Sequence, residues 1–254
     1  MFSETVRAIA GRLDRAGDLL EFESQIREHR ARYIVKLKTV GDLSGPNRQI
    51  ILFCQNSIRH LQHLLFRSQS LMKGSFAAIN ANLLLPCLMC VRAHYETTGS
   101  AAYLLKRIKG YCEGTLDLAS LDNYLLRLSM GAKSIENPEV PEPINVMDMI
   151  DSVDHYLKKY LFPADPEDKK FRSSFDVLSD FCHPNFHGTC CGSEIIVSER
   201  AFQFNRTDEL RDDDVAFFFY LNMSTTLFLT FYKDCYRLLH DRILLPDTII
   251  VEEP

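Results

Sequence analysis

The chain of 254 residues lacks a strong bias of charge, an apolar leader at its first residues, a disulfide framework and nearly every strand signal. Each gap excludes something. A formal charge of −5, with 25% charged residues, gives no global electrostatic reason for nucleic acid or an anionic membrane as partner. The opening stretch MFSETVRAIAGRLDRAGDLLEFE carries acids early and has no apolar core, so no secretion signal is expected. The eight cysteines are scattered through apolar runs and do not frame short loops. That pattern suits reduced thiols in the cytoplasm. No internal repeat breaks the chain into modules, and no cofactor is expected. What is present, 46% apolar residues in a chain of this length, is enough to bury a sizeable core in one large domain.

Two stretches, 74–91 (GSFAAINANLLLPCLMCV) and 215–232 (VAFFFYLNMSTTLFLTFY), hold no charged residue over about the length a bilayer requires. Both carry polar side chains: Asn80 and Asn82 in the first, Asn222, Ser224, Thr225, Thr226 and Thr230 in the second. Neither has the basic flank that would orient a membrane span. A helix apolar all round is what the centre of a bundle needs. The expectation is two central core helices and no membrane partner.

Periodicity assigns most of the chain to helix. Val6, Ile9, Leu13, Ala16 and Leu20, then Phe22, Ile26, Tyr33 and Leu37, recur at helical spacing and predict one long helix over 4–38, or two in line broken near Gly17. Gly41, Gly45 and Pro46 mark a loop. A second helix is predicted over 47–72, capped at Gly74. A third runs over 75–109 with a kink or break at Pro86, and a fourth over 116–133. The segment 134–145 (SIENPEVPEPIN) holds three prolines and three glutamates and reads as an exposed loop. Further helices follow over 146–160 and 165–182. The one clear strand signal is a hairpin, 194–197 with 201–204, to which Ile249, Ile250 and Val251 could add a third strand. The last helix opens on Asp212, Asp213 and Asp214, acids suited to the positive end of its dipole, and ends near Arg242. The expected architecture is a single all-α domain over 1–254, a bundle of about seven helices with a small β-hairpin appendage between the last two. Its parts would be long N-terminal helices to 73, a core bundle over 74–242 containing the hairpin, and a tail over 243–254.

Several residues could carry chemistry. Arg92 and Glu96 lie one turn apart on a face that otherwise reads Leu85, Met89, Gly99 and Tyr103. Charge on an apolar stripe costs free energy unless each group finds partners. It therefore marks either a structural ion pair or a site in which Arg92 holds an anion and Glu96 orients it or acts as base. Arg172, Asp176, Ser179 and His183 share one face of a later helix. His183 falls at its end, beside Pro184, where a side chain can project into a cleft. Convergence of these faces would build one polar site from Arg92, Glu96, Ser179 and His183. The stretch FDVLSDFCHPNFHGTCCGS, 175–193, adds Cys182, His187, Cys190 and Cys191, a set with zinc-type donors but without standard spacing, so no metal is assigned to it. Cys87 and Cys90 are spelled like a redox pair but sit in an apolar helix and read as core. His60 and His63 read as surface or interface histidines. Arg27, Arg30, Arg32, Lys36 and Lys38 make one stretch locally basic, mostly a solvated face, with phosphate contact as the sharper alternative.

The pairing of R-x3-E (Arg92, Glu96) with S-x3-H-P (Ser179, His183, Pro184), over residues 75–240, resembles bacterial helical proteins related to the HEPN superfamily. That resemblance implies a helical bundle, a bacterial or phage-related setting and a polar site around those residues. Nuclease members carry arginine, then four to six residues, then histidine. This chain departs from that pattern: Arg59 and His63 are separated by three residues, Arg237 and His240 by two. The expectations are thus a cytoplasmic binding or effector module, in phage defence or stress response, with an internal anion site for a nucleotide, phosphate or RNA ligand. The alternatives are a ribonuclease or phosphodiesterase with His183 as general acid or base, and a structural subunit that assembles with itself or a protein partner through its N-terminal helix.

Overall fold

The structure, a computed structural model, describes residues 2–40, 42–133, 140–161, 169–190, 193–204, 210–243 and 249–252. The chain forms an all-α bundle. Its helices are α1 (Glu4–Arg12), α2 (Ala16–Arg30), α3 (Arg48–Asn80), α4 (Leu84–Cys112), α5 (Leu118–Met130), α6 (Val146–Tyr160), α7 (Lys170–Cys182), the single turn α8 (Phe186–Thr189), α9 (Asp212–Phe218) and α10 (Tyr220–Leu238). A π-helical turn, Leu239–Ile243, extends α10. Four short strands form two antiparallel ribbons: β1 (Lys36–Thr39) with β4 (Ile249–Glu252), and β2 (Glu194–Ile196) with β3 (Ala201–Gln203).

α4 is the axis of the bundle and packs against α3, α10, α6 and α7. From Thr97 to Leu105 every residue is buried, and six of the nine are Gly, Ala, Ser or Thr, at positions 97–102. Small side chains let neighbouring backbones come close. A Cβ at Gly99 would lie 3.0 Å from the Met149 carbonyl carbon and 3.2 Å from the Ile150 nitrogen, so α4 and α6 meet there at backbone distance. At the opposite corner Phe2, Phe22, Phe76 and Phe218 pack with ring centroids 4.9–6.2 Å apart and close α1, α2, α3 and α9 onto one another. Caps follow residue type. Ser3, Asp117 and Asn145 accept hydrogen bonds from Val6, Ser120 and Met147 amides at the starts of α1, α5 and α6. Asp154 of α6 does the same across helices, accepting from the Phe171 and Arg172 amides at 3.0 and 2.9 Å and so starting α7.

Several boundaries differ from those the sequence predicts. The first long helix is two, broken at 13–15 where Asp14 takes φ 55°, and it does not run to 38 because 36–39 is a strand. That strand takes Ile249–Glu252 as its partner, Leu37 opposite Val251, so the terminal strand does not join the 194–203 hairpin. Gly74 lies within α3 and caps nothing; a Cβ there would touch Cys90 Sγ at 3.0 Å, so it marks close approach of α3 and α4. The break between these helices falls at Asn82, which adopts φ 57°, a left-handed conformation asparagine tolerates. Pro86 then stands in the first turn of α4, where its missing N–H costs nothing. The stretch 74–91 is therefore a helix end, a turn and a helix start. The run Asp212–Ile243 is long and apolar enough by composition to cross a membrane, yet 71% of its most apolar window is buried within the protein. Of the proline-rich loop, 134–139 lies outside the described residues, and 140–145 is irregular up to the Asn145 cap.

Candidate functional site

The structure brings three of the four sequence-selected site residues together. Arg92 of α4 donates from Nε to Ser179 Oγ of α7 at 3.0 Å and pairs through a terminal nitrogen with Glu96 at 3.3 Å. Its guanidinium lies 5.1 Å from the Phe175 ring centroid. Next to it Tyr95 stacks on Phe171 at 4.3 Å. Arg92 and Glu96 are each about a quarter exposed, with 27% and 28% of the side chain open to water. The arginine is thus spent on a hydroxyl, a carboxylate and a ring, the arrangement of a clamp joining α4 to α7. His183 stands apart from it. It is exposed at the C-cap of α7, where its backbone N–H donates to the Ser179 carbonyl at 3.0 Å, and its side chain makes no hydrogen bond or ion pair to Arg92, Glu96 or Ser179. The rest of the α7 stripe is also paired: Arg172 meets Asp176 at 3.2 Å and Asp151 at 3.0 Å. Of the zinc-type donors, the His187 side chain and all of Cys191 lie outside the described residues. Cys87 is fully buried and its thiol is pushed up to about 12 by burial.

Two further polar groupings escape the sequence reading. The first is a chain of hydrogen bonds through the core. His29 Nδ1 lies 2.7 Å from the Gln25 carbonyl, His29 Nε2 2.8 Å from Ser68 Oγ, Ser68 Oγ 2.7 Å from His94 Nε2, and His94 Nδ1 2.8 Å from Ser224 Oγ. Thr98 closes it, 3.0 Å from the Ser224 carbonyl. All five side chains (His29, Ser68, His94, Thr98 and Ser224) are fully buried, and the Phe228 ring lies against both imidazoles. The proton order follows from the ends. A carbonyl only accepts, so His29 carries its proton on Nδ1 and accepts at Nε2 from Ser68. Ser68 then accepts from His94 Nε2–H, and His94 Nδ1 accepts from Ser224. Both imidazoles are neutral: burial depresses each, with His94 near 3. Four helices, α2, α3, α4 and α10, are tied by one directional chain with every donor used. His60 is a third buried histidine, held down to about 4 by burial, which corrects its placement on the surface; His63 is exposed as expected.

The second grouping is a hollow of about 250 Å³ where the C-terminal ends of α4 and α6 meet the loop before α5. Lys106, Arg107 and Lys109 of α4 and His155 and Lys159 of α6 line it, with Tyr156 and Tyr160 as aromatic wall and Glu113 as the one lining carboxylate among the described residues. Lys109 Nζ sits 4.1 Å over Tyr160 and 5.0 Å over Tyr156; Lys159 Nζ is 5.3 Å from Tyr160. Burial opposes ionisation of the Tyr160 phenol, but hydrogen bonds from Lys109 and Lys159 outweigh it and leave the group below its usual range. Arg107 donates to Tyr103 at 2.8 Å and lies over the Tyr103 and Tyr124 rings, while its buried Nε has no partner. Among the described residues none of these four cations forms an ion pair. A smaller hollow of about 150 Å³, lined by Arg32, Lys233, Arg237, Tyr232 and Tyr236, makes the contrast. There Arg32 and Lys233 both pair with Glu28, and Arg237 pairs with Asp234.

A sequence signal for the hollow exists in retrospect: Lys106-Arg107-x-Lys109 and His155-x2-Lys158-Lys159 end two helices. Cations at helix C-termini have an ordinary use in offsetting the dipole, which hides the signal. No protein-family model matches the chain, and comparison with curated proteins and with solved structures returns no match either.

Proposed function

We propose that the protein is a binding module that takes an anionic small molecule in the basic hollow between α4 and α6. One observation carries this: among the described residues four cations and one carboxylate line the same concavity, and none of the four cations forms an ion pair. Half-buried charge is normally paired, as it is around Arg92, whereas Arg107 and Lys109 are half-buried without a carboxylate partner and the exposed Lys106 and Lys159 add two more charges of the same sign. An unpaired cluster of one sign is tolerated where a ligand supplies the other sign. The anion site read from the sequence thus moves from Arg92 and His183 to Lys106, Arg107, Lys109 and Lys159. A reducing, cytoplasmic setting is part of the same proposal, supported by the buried thiols Cys54, Cys87 and Cys235. No observation favours the enzymatic alternative through His183. A role in phage defence or stress response remains what the HEPN-type resemblance implies; the hollow itself carries only binding.

The test is thermal unfolding with inorganic phosphate, pyrophosphate, nucleoside monophosphates and citrate at constant ionic strength. A ligand at a hundred times its Kd stabilises the fold by about 2.7 kcal/mol. The expected result is a rise in Tm that Lys109→Ala and Lys159→Ala abolish and Arg92→Ala preserves. No rise with any of these anions overturns the proposal, as does a rise that Arg92→Ala removes and the lysine variants keep.

A further inference from the structure

Charge counting and one histidine refine the ligand. Among the described residues lining the hollow, Lys106, Arg107, Lys109 and Lys159 against Glu113 leave three positive charges in excess. Two helix C-termini, each worth roughly half a negative charge, reduce that to roughly two. A monoanion such as a single carboxylate would leave the site still cationic. A dianion would neutralise it. The three lysines present point charges with rotatable donors, which suits a compact oxyanion with acceptors on every side. Arg107 is already held by Tyr103 and two rings, so little is left of the planar fork that a carboxylate prefers.

His155 lines the same hollow from α6, one turn before Lys159 and one residue before Tyr156. The charged and titratable groups that face it are Lys106, Arg107, Lys109 and Glu113 from α4, and Tyr156, Lys158, Lys159 and Tyr160 from its own helix; the loop before α5 offers only Thr115 and Leu116. Beyond Tyr156, whose hydroxyl lies 3.3 Å from Asp234, α10 contributes that carboxylate. In the empty hollow, partial burial first and then Lys106, Lys159 and Lys158 disfavour a charged imidazole and hold it below its ordinary value. A bound dianion reverses the local sign and supplies an acceptor.

On the reading that the hollow binds anions, we infer that its occupant is a doubly charged tetrahedral oxyanion, the phosphoryl group of a phosphate monoester, and that binding loads a proton onto His155. The proton comes from hydronium or the buffer acid, whose bond to hydrogen breaks as the N–H bond forms on the free imidazole nitrogen; the anion itself is not transformed. His155 becomes a fourth donor facing the anion only when the anion is there. Affinity should then rise as pH falls, by at most about tenfold per pH unit for one linked proton.

The experiment is titration calorimetry at pH 7 with sodium sulfate, inorganic phosphate and sodium nitrate, each in two buffers of different ionisation enthalpy. Sulfate is a dianion with no titration of its own near neutrality, so any proton count belongs to the protein. The expected result is binding of sulfate and phosphate but not nitrate, with uptake of a fraction of a proton for sulfate that vanishes in His155→Gln while sulfate still binds. Binding of sulfate without proton uptake, or with uptake unchanged in His155→Gln, overturns the inference and leaves the anion site standing. Nitrate binding as tightly as sulfate overturns the dianion assignment. If no anion binds, and none raises Tm, the hollow is not an anion site and both fall together.

Discussion

The core chain through His29, Ser68 and His94 and the hollow around Lys106, Lys109 and Lys159 are both polar, and they differ in one respect. In the first, each donor meets an acceptor and the proton order is fixed from the Gln25 carbonyl to Ser224. In the second, four positive charges share a concavity with one carboxylate. Closed polarity of the first kind is architecture: it specifies which helices meet and in what register, because any other arrangement strands a buried donor or acceptor. Open polarity of the second kind carries self-repulsion, which on the proposed reading a ligand offsets. Arg92 belongs with the first kind. Its charge stands out in the sequence, and its contacts turn out to be complete within the protein.

Breaking the closed side should have the largest effect. His94→Ala removes a fully buried ring and leaves the Ser68 and Ser224 hydroxyls without partners. A cavity combined with orphaned hydrogen-bonding groups destabilises by ~4 kcal/mol. Equilibrium urea unfolding should show that loss with anion-induced stabilisation retained in the folded fraction. His29→Ala should fall nearby, and the double variant should cost less than the sum, since one chain is being cut twice.

Acid should act on the same element. His94 and His60 are held near 3 and 4 in the folded protein, and His29 is also depressed, while the unfolded chain protonates near 6.5. Above that pH neither state binds the proton and the histidines leave stability unchanged. As pH falls from 6.5 the unfolded state takes up protons that the folded state refuses. Stability then drops by up to ~1.4 kcal/mol per pH unit for each histidine, until the folded value is reached. Urea midpoints between pH 7 and 5 should track this slope, and His60→Gln should flatten it by one histidine's share. An unchanged slope in that variant would mean that His60 is charged where it lies.

Breaking the clamp comes next in size. Arg92→Ala removes the bonds to Ser179 and Glu96 and the contact with the Phe175 face, all partly screened by water, and should cost ~1–2 kcal/mol. Ser179→Ala should cost less. Neither should alter the Tm response to phosphate. A response lost in Arg92→Ala with stability intact would return the anion site to the position the R-x3-E spacing suggests.

How much of this was legible beforehand depends on what kind of signal each part leaves. The all-α class, the hairpin at 194–203 and the helix over 146–160 follow from periodicity and residue type, which act locally. The 36–39 strand did not show, because KLKT is polar and four residues long, and its partner lies at the far end of the chain. Gly74 looks like a terminus locally, while close approach to Cys90 gives it another use; Pro86 does accompany a break in the helix, which falls at Asn82 and leaves the proline in the first turn of α4. The meeting of Arg92 with Ser179 follows from pairing a charge that interrupts an apolar stripe on one helix with the polar face of another. His29 and His94 were not singled out, because a histidine on a helix looks the same in sequence whether solvated or sealed. The hollow was hidden by the ordinariness of lysines at helix ends. Only their convergence from two helices makes them unusual.

The smallest effect bears most directly on the open side. If Lys106, Lys109 and Lys159 repel one another in the empty hollow, replacing one with a neutral side chain should relieve strain and not create it. Lys106→Gln is the cleanest choice: Lys106 is exposed and lines the hollow, without the ring contacts that Lys109 makes with Tyr156 and Tyr160. The empty protein should then melt about 1 °C higher at low ionic strength, a gain of a fraction of a kcal/mol for a chain of this size. Screening by salt should erase the gain. The same variant should respond less to phosphate, so one substitution would make the empty fold firmer and the ligand weaker. A structural lysine predicts the opposite sign for the first and no change in the second. Differential scanning at 20 and 300 mM salt, with and without phosphate, separates the two.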